Sequence, residues 1–349
     1  MKKITVIGLF CNGIEVSDGQ SIKTRIVTEE IERSLGIQNV CRIDTYGWKK
    51  NPICLFIKSV FSVWHSENVL FLTDEGGIKV FPWLLRLANI TGKCRLHYVV
   101  VGGWLPDSLK TRKFRTWILK KLDGVYVETA TMKQALENAG LSNVVILPNC
   151  KHLNVLGEDE LVFQNSEPYA LCTFSRVMKE KGIAIAVEAV KAVNELSGRT
   201  VFTLDIYGQV DPRQTEWFAQ LKAEFPEYVK YCGTVPYDQS VGVLKDYFAL
   251  LFPTYFSGEG FAGTLIDAFS AGVPVIASKW RYNEEFVYEG INGSIIPPQD
   301  VTALTEKLIE ISSAPGAWIA QRKNCLVQAK RYVPETALKD LISELKSKR

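Results

Sequence analysis

Short apolar runs recur along the 349-residue chain and alternate with segments whose apolar positions repeat at helical spacing. Runs near 3–8, 40–46, 68–74, 95–101, 124–128 and 143–148 predict six strands in the first half. Runs near 169–174, 200–207, 229–235, 247–253, 273–277 and 293–297 predict six more. Helical spacing falls between them at 22–35, 110–121, 183–196, 213–224, 263–271 and 301–312. Strands and helices in alternation argue for an α/β fold with parallel sheets covered on both faces. Two sets of six strands predict two Rossmann-like domains.

The pattern weakens over 150–168, where Gly157-Glu158-Asp159-Glu160 is polar and acidic. We therefore expect a first domain over 1–155 and a second over 156–330. The last stretch, 331–349, begins Tyr332-Val333-Pro334-Glu335. It reads as a helix with proline at its start, crossing back to the first domain. Open α/β sheets bind ligands beyond the carboxyl ends of their strands. Two sheets facing across a cleft would then hold a ligand between them.

Composition narrows the class. Hydrophobic content of 47% and charged content of 23% are those of a folded soluble protein. The longest apolar runs, 247–253 and 96–101, are far short of the roughly 20 residues a membrane helix needs. Met1-Lys2-Lys3 leads straight into Ile4-Thr5-Val6-Ile7, a first strand and not a signal peptide. Eight cysteines without a CxxC pair suggest reduced thiols and a cytoplasmic protein. His65, His97 and His152 make no zinc pattern, and the acids at 158–160 read as solvated. The GxGxxG fingerprint and the P-loop are absent. Charge is uneven: residues 1–150 carry 20 Lys and Arg against 13 Asp and Glu, and residues 151–349 carry 21 against 25. The basic half is expected to meet something anionic.

The most informative segment is Glu259-Gly260-Phe261-Ala262-Gly263-Thr264, with Asp267 further on and Ala271-Gly272-Val273-Pro274-Val275 after it. A carboxylate precedes a small-residue loop that opens a helix, and a second carboxylate follows eight positions later. Free N–H groups at a helix start bind anions. With two carboxylates beside them, they suit a ligand bearing both phosphates and hydroxyls, such as a nucleotide sugar. Thr264 and Asp267 also have capping-box spacing, so a plain capping role stays open for Asp267. A second segment, Phe174-Ser175-Arg176-Val177-Met178-Lys179-Glu180-Lys181-Gly182, follows the first strand of the second domain. Lys179 there is expected to be merely exposed. Tyr207-Gly208 and Val235 close the next two strands. At Tyr207-Gly208 the backbone is expected to approach a ligand; at Val235 a ligand approach and a simple strand-end turn both remain open.

Together these segments resemble the retaining GT-B glycosyltransferases of family 4. The likeness is greatest to the bacterial enzymes that build capsular polysaccharide, exopolysaccharide or O-antigen units. Ala277-Ser278-Lys279-Trp280-Arg281-Tyr282-Asn283-Glu284-Glu285 adds to it. The resemblance implies that Arg176 and Lys181 grip the donor diphosphate and stabilise its growing charge on departure. It implies that Glu259 contacts the sugar and that the second acid binds ribose. That acid is normally Glu and is the shorter Asp267 here. Gly260, Phe261, Ala262, Gly263 and Thr264 line the donor, with backbone contacts at Gly208 and Val235.

In the first domain the loop 12–21 resembles the family's glycine loop. Gly19 is kept and Gln20 stands where a second glycine is usual. Lys23, one turn on, reads as a solvated position, with a phosphate contact as the alternative. Gly102 and Gly103 would let an acceptor approach, with Trp104 as a sugar-stacking wall or as core packing. The family's histidine is missing from that strand end. His97 lies near the strand's beginning and reads as structural.

The activity so implied is retaining transfer from a nucleotide sugar, with a UDP-sugar favoured, to a saccharide acceptor linked to polyprenyl diphosphate. It needs no cofactor or metal and no nucleic acid. A non-catalytic GT-B subunit that binds saccharide or a partner is the alternative. A sugar-nucleotide epimerase is less favoured because histidines are few. The stretch 110–121 carries six cations among aromatic and aliphatic residues, and Lys49-Lys50 precede the apolar stretch 53–64. Each is either an ordinary amphipathic helix or a surface for the inner face of an anionic membrane.

Overall fold

All twelve apolar runs fold as strands, in two six-stranded parallel sheets. The structure is a computed structural model. It describes residues 2–11, 19–164 and 166–347, without the side chains of Lys2 and Lys113. The loop segment 12–18 lies outside the described residues. The chain divides into one unit of residues 1–151 and 332–349 and another of residues 152–331.

In the first unit the strands are β1 (Lys2–Gly8), β2 (Val40–Asp44), β3 (Ser66–Thr73), β4 (Arg95–Val100), β5 (Gly124–Val127) and β6 (Val144–Ile146). Their order is β2-β1-β3-β4-β5-β6, with Ile4 facing Val40 on one side and Asn68 on the other. Val69, Leu70, Phe71 and Leu72 are all fully buried, as a strand covered on both faces requires. Phe71 stacks on Tyr98 of β4 at 4.8 Å. Right-handed crossovers put helix Gly19–Leu35 on one face of this sheet. They put helices Pro52–His65, Phe81–Ala88 and Lys113–Leu119 on the other.

Three expectations change here. The single helix over 110–121 is two, Leu105–Thr111 and Lys113–Leu119, broken at Arg112, whose φ of −135° and ψ of 76° are not helical. Arg115 then turns inward, donates to the Ser108 hydroxyl and stands 3.6 Å from Glu75. Lys23 is not solvated. It is buried, with Nζ 2.5 Å from Glu128 and 3.0 Å from the Val100 carbonyl. The third change concerns Thr264 and Asp267 and is described with the site. His97 is structural: Nε2 donates to Asn68 Oδ1 and Nδ1 accepts from the Tyr126 hydroxyl, both at 3.1 Å. Burial lowers its pKa to about 4, with Arg95 adding to the effect.

Residues 332–349 complete this unit. Arg33 pairs with Glu335 at 2.8 Å, and Arg95 reaches Glu344 at 2.9 Å and the Ser347 carbonyl at 2.9 Å. The cysteines are all free. Burial pushes the Cys150 thiol up to about 12 and raises those of Cys172 and Cys325. Among the described residues no helix is long and apolar enough to cross a membrane.

The second unit contains β7 (Tyr169–Phe174), β8 (Phe202–Tyr207), β9 (Val229–Gly233), β10 (Ala249–Phe252), β11 (Val275–Ser278) and β12 (Gly293–Ile296). Their order is β12-β11-β10-β7-β8-β9. Leu171, Phe202 and Leu204 of the sheet and Phe248, just before β10, pack with Val187, Val190, Leu304 and Leu308 of helices Ile183–Ser197 and Val301–Ser313. The chain runs outward from β7 to β9, then returns to the other side of β7 as β10. Loops after β7 and β10 therefore leave neighbouring strands in opposite directions, which opens a crevice at their carboxyl ends.

Candidate functional site

The two segments singled out by sequence are the loops at that switch point. Arg176 and Lys181 lie on the loop after β7, and Glu259 lies on the loop after β10. The loops are stitched together by their backbones: Tyr255 N–H donates to the Glu180 carbonyl at 2.7 Å. Gly182 makes this approach possible. Its φ is 74°, and a Cβ there would collide with the Pro253 carbonyl. Gly182 also opens helix Ile183–Ser197, whose free N–H groups point toward the crevice side of the sheet.

Lys181 and Glu259 are brought into direct contact, Nζ to Oε2 at 2.6 Å, with both side chains largely buried. Thr254 donates its hydroxyl to the same Oε2 at 2.9 Å. The ammonium also lies 5.4 Å from the Phe252 ring centre and 5.3 Å from that of Phe256. A lysine held between two rings and a carboxylate is fixed in place yet keeps donors to spare. Phe252, Thr254 and Phe256 were not legible as site residues: the run 247–253 signals only a buried strand, and Thr254 and Phe256 follow it without a motif of their own.

Arg176 is arranged differently. It is half-exposed and stands 3.8 Å from Asp211, a buried carboxylate already held by Arg213 at 2.8 Å. The Arg213 hydrogen bonds hold the Asp211 carboxyl well below the usual range, with Arg176 adding to them. The Arg176 loop is bridged to the strand-end loop after β8 at Val177 and Val210. Gly208 belongs to this junction. Its φ is 133°, and a Cβ would meet the Ser175 carbonyl, so the close approach it permits is to the Arg176 loop. The β8–β9 register slips just before it, between Ile206 and Tyr207. Val235 is half-buried beyond β9.

The capping reading of Thr264 fails. Helix Gly263–Ser270 starts after Ala262, no side chain caps it, and Thr264 lies inside its first turn. The Thr264 hydroxyl is buried without a hydrogen-bond partner, an orphan in the wall of the loop. Asp267 is buried and accepts from the Ser240 hydroxyl at 2.9 Å. Gly260 is buried, and Phe261 stacks on Phe286 at 3.6 Å, so its ring is spent on packing while its backbone stays at the loop.

In the first unit, Gly19 and Gln20 form the first turn of helix Gly19–Leu35, and the Gln20 amide reaches the Leu72 carbonyl at 3.5 Å. Gly102 has a φ of 82°, and Gly103 follows it. Trp104 is half-buried and its indole donates to the Val101 carbonyl at 2.9 Å.

The fold of the chain is that of the GT-B glycosyltransferases. HepE of Anabaena, solved in complex with UDP, superposes over all of both chains with a TM-score of 0.76 at 14% identity. The family model for glycosyl transferases, group 1, matches residues 168–314, a span that holds both loops of the switch point. Among curated proteins, the chain is 28% identical over 271 residues to the GtfA subunit of the Streptococcus gordonii UDP-N-acetylglucosamine–peptide N-acetylglucosaminyltransferase. That match spans 71% of the chain and 50% of the relative. It is 24% identical to the amylovoran biosynthesis glycosyltransferase AmsK of Erwinia amylovora over 42% of the chain and 36% of the relative. The chain therefore spans half or less of the length of these curated relatives.

Proposed function

We propose that the protein is a retaining, family 4 glycosyltransferase that moves a sugar from a UDP-sugar to a saccharide acceptor on a polyprenyl diphosphate, in surface polysaccharide synthesis. The observation that carries this reading is the Lys181–Glu259 contact at the switch point, inside the span matched by the group 1 glycosyltransferase model. Glu259 receives sugar hydroxyls, Asp267 receives the ribose diol, and Lys181 and Arg176 hold the diphosphate. The orphan Thr264 hydroxyl and the N–H groups of its helix are further donors for that anion. UDP is favoured because HepE, which shares the fold, was solved with it.

The reaction breaks the bond between C1 and the diphosphate oxygen while the acceptor oxygen bonds C1 on the same face. The acceptor proton leaves on the departing phosphate. No protein nucleophile enters. Lys181, held in place before the reaction, and Arg176 beside it supply the charge stabilisation that the leaving group needs.

A second reading has a polypeptide in place of the saccharide acceptor. It is favoured by the relative whose name specifies transfer to peptide. A thermal-shift screen over UDP-, GDP- and ADP-sugars tests the donor, since a ligand that binds the folded state raises Tm. A rise with UDP-sugars that disappears in Lys181→Ala is expected. No rise with any nucleotide sugar would sink the transferase reading. Sugar incorporation into lipid-linked saccharide or into peptide then separates the two acceptors.

A further inference from the structure

On the first unit, helix Phe81–Ala88 packs beside helix Lys113–Leu119, and their rings meet. Trp83 of the first stacks on Phe114 and Trp117 of the second, at 4.3 and 5.5 Å, with both pairs parallel to within 14°. Phe114 and Trp117 are parallel to each other to within 12°, and each is more than half exposed. Trp83 thus backs two rings that keep apolar surface open to solvent.

Ile78, Lys79, Trp83, Arg112, Phe114 and Arg115 line a groove of about 370 Å³ at these rings. That volume lies within the range of small-molecule pockets, about 300–1,000 Å³. Its walls come from the loop after β3 and from the crossover after β4, the one that starts with Gly102, Gly103 and Trp104. Arg115 is more than nine-tenths buried, donates Nη1 to the Ser108 hydroxyl and stands 3.6 Å from Glu75. Its Nη2 has no hydrogen-bond partner. A buried guanidinium nitrogen left open is costly unless something accepts from it.

The surrounding groups say what that acceptor is. Lys79 and Arg112, both exposed, add two positive charges to the groove. Glu75, exposed beside Arg115, offers acceptor oxygens and no donor. A ligand that satisfies all of them carries an oxyanion for Nη2 and the cations, hydroxyl donors for Glu75, and a flat C–H face for the rings. A neutral sugar lacks the oxyanion, and a phosphate ion lacks the C–H face. A sugar acid has all three in one pyranose ring: a carboxylate on C5, ring hydroxyls and an apolar face.

We propose that this groove binds a uronic acid residue, with its carboxylate on Arg115, Lys79 and Arg112 and its ring against the exposed aromatic side chains. The binding stands by itself. Only its use, as an acidic residue of the acceptor saccharide, rests on the transferase reading.

Saturation-transfer NMR titrations of the full chain test it, comparing methyl glucuronide with methyl glucoside, which has CH2OH in place of the carboxylate. The glucuronide is expected to bind about tenfold more tightly, as one charge-assisted hydrogen bond allows. Lys79→Ala/Arg112→Ala changes exposed side chains only. It is expected to keep its circular dichroism spectrum, bind the glucuronide about tenfold more weakly and bind the glucoside as before. Phe114→Ser/Trp117→Ser is expected to weaken both sugars by about tenfold. Equal binding of the two sugars, binding of neither, or undiminished binding by either variant overturns the proposal. Inorganic phosphate that displaces the glucuronide at equal concentration would assign the groove to a free anion and overturn the sugar. The thermal shift with UDP-sugars, measured on the same proteins, is expected to be unchanged in both variants. A groove that binds no glucuronide while that shift persists refutes this proposal alone. Glucuronide binding without any donor shift upholds the groove and refutes the transferase reading alone.

Discussion

Lys181 and Glu259, 78 positions apart in sequence, meet at 2.6 Å beneath the crevice between β7 and β10. Each is the other's counter-ion in the free protein. An arriving diphosphate would have to share Lys181 with Glu259, and an arriving sugar would have to share Glu259 with Lys181. Lys181→Ala is expected to slow UDP release from a UDP-sugar by about 10²–10³-fold, the usual cost of one lost donor to a developing anion. Removing either partner also leaves a largely buried charge behind, so Tm should fall as well. Lys181→Ala that keeps full turnover would remove the residue from the site.

Ser240 is expected to act as a positioning residue through Asp267, which accepts its hydroxyl at 2.9 Å. On the proposed reading Asp267 holds ribose. Ser240→Ala should then raise KM for the donor several-fold and leave kcat nearly unchanged, because ground state and transition state lose the same contact. Steady-state kinetics with varied donor concentration separates the two constants. Equal loss in kcat would place Ser240 in the chemistry instead.

Lys23→Met is expected to destabilise the protein by about 3–5 kcal/mol, the cost of stranding one member of a buried ion pair. Glu128 would lose a partner at 2.5 Å, with both side chains under 5% exposed. Lys23→Met/Glu128→Leu should recover most of that loss, since an apolar pair of similar volume needs no counter-ion. Urea denaturation of the three proteins measures both changes.

His97 gives stability a slope in mild acid. Its pKa is about 4 in the folded protein, against 6.5 for an ordinary histidine. Between those values the unfolded chain holds the extra proton, so stability is complete above about pH 6.5 and declines as pH falls toward 4. The decline from this one group is up to about 3 kcal/mol. Urea midpoints measured across that window should fall for the native protein and fall less for His97→Gln.

The twelve strands were legible because strands covered on both faces must be apolar along their whole length. The two loops of the switch point were legible because glycine and small residues mark where backbone must come close, as Gly182 does against Pro253. What the chain does not display is a partner that arrives from far away. Lys23 sits in a polar stretch of helix and looks solvated until Glu128 reaches it from 105 positions on. Arg115 looks like one more cation on a helical stripe until the break at Arg112 turns it inward. Thr264 and Asp267 have capping-box spacing, yet the helix begins one residue before Thr264. Spacing identifies a cap only when the first helical residue is known.

The first unit is closed by a segment that follows the second unit in sequence. Arg95 and Arg33 find their carboxylates on Glu344 and Glu335, and Asn68 reaches the Leu345 carbonyl. A ribosome making this chain releases residues 1–151 first, but that unit cannot be finished until residues 332–349 emerge. The second unit, one unbroken stretch, is complete before then. Domains generally form in order of synthesis. Here the order is reversed at the end: the first unit to appear is the last to be sealed, and it waits with the contacts of Arg95 and Asn68 to residues 344–347 unmade.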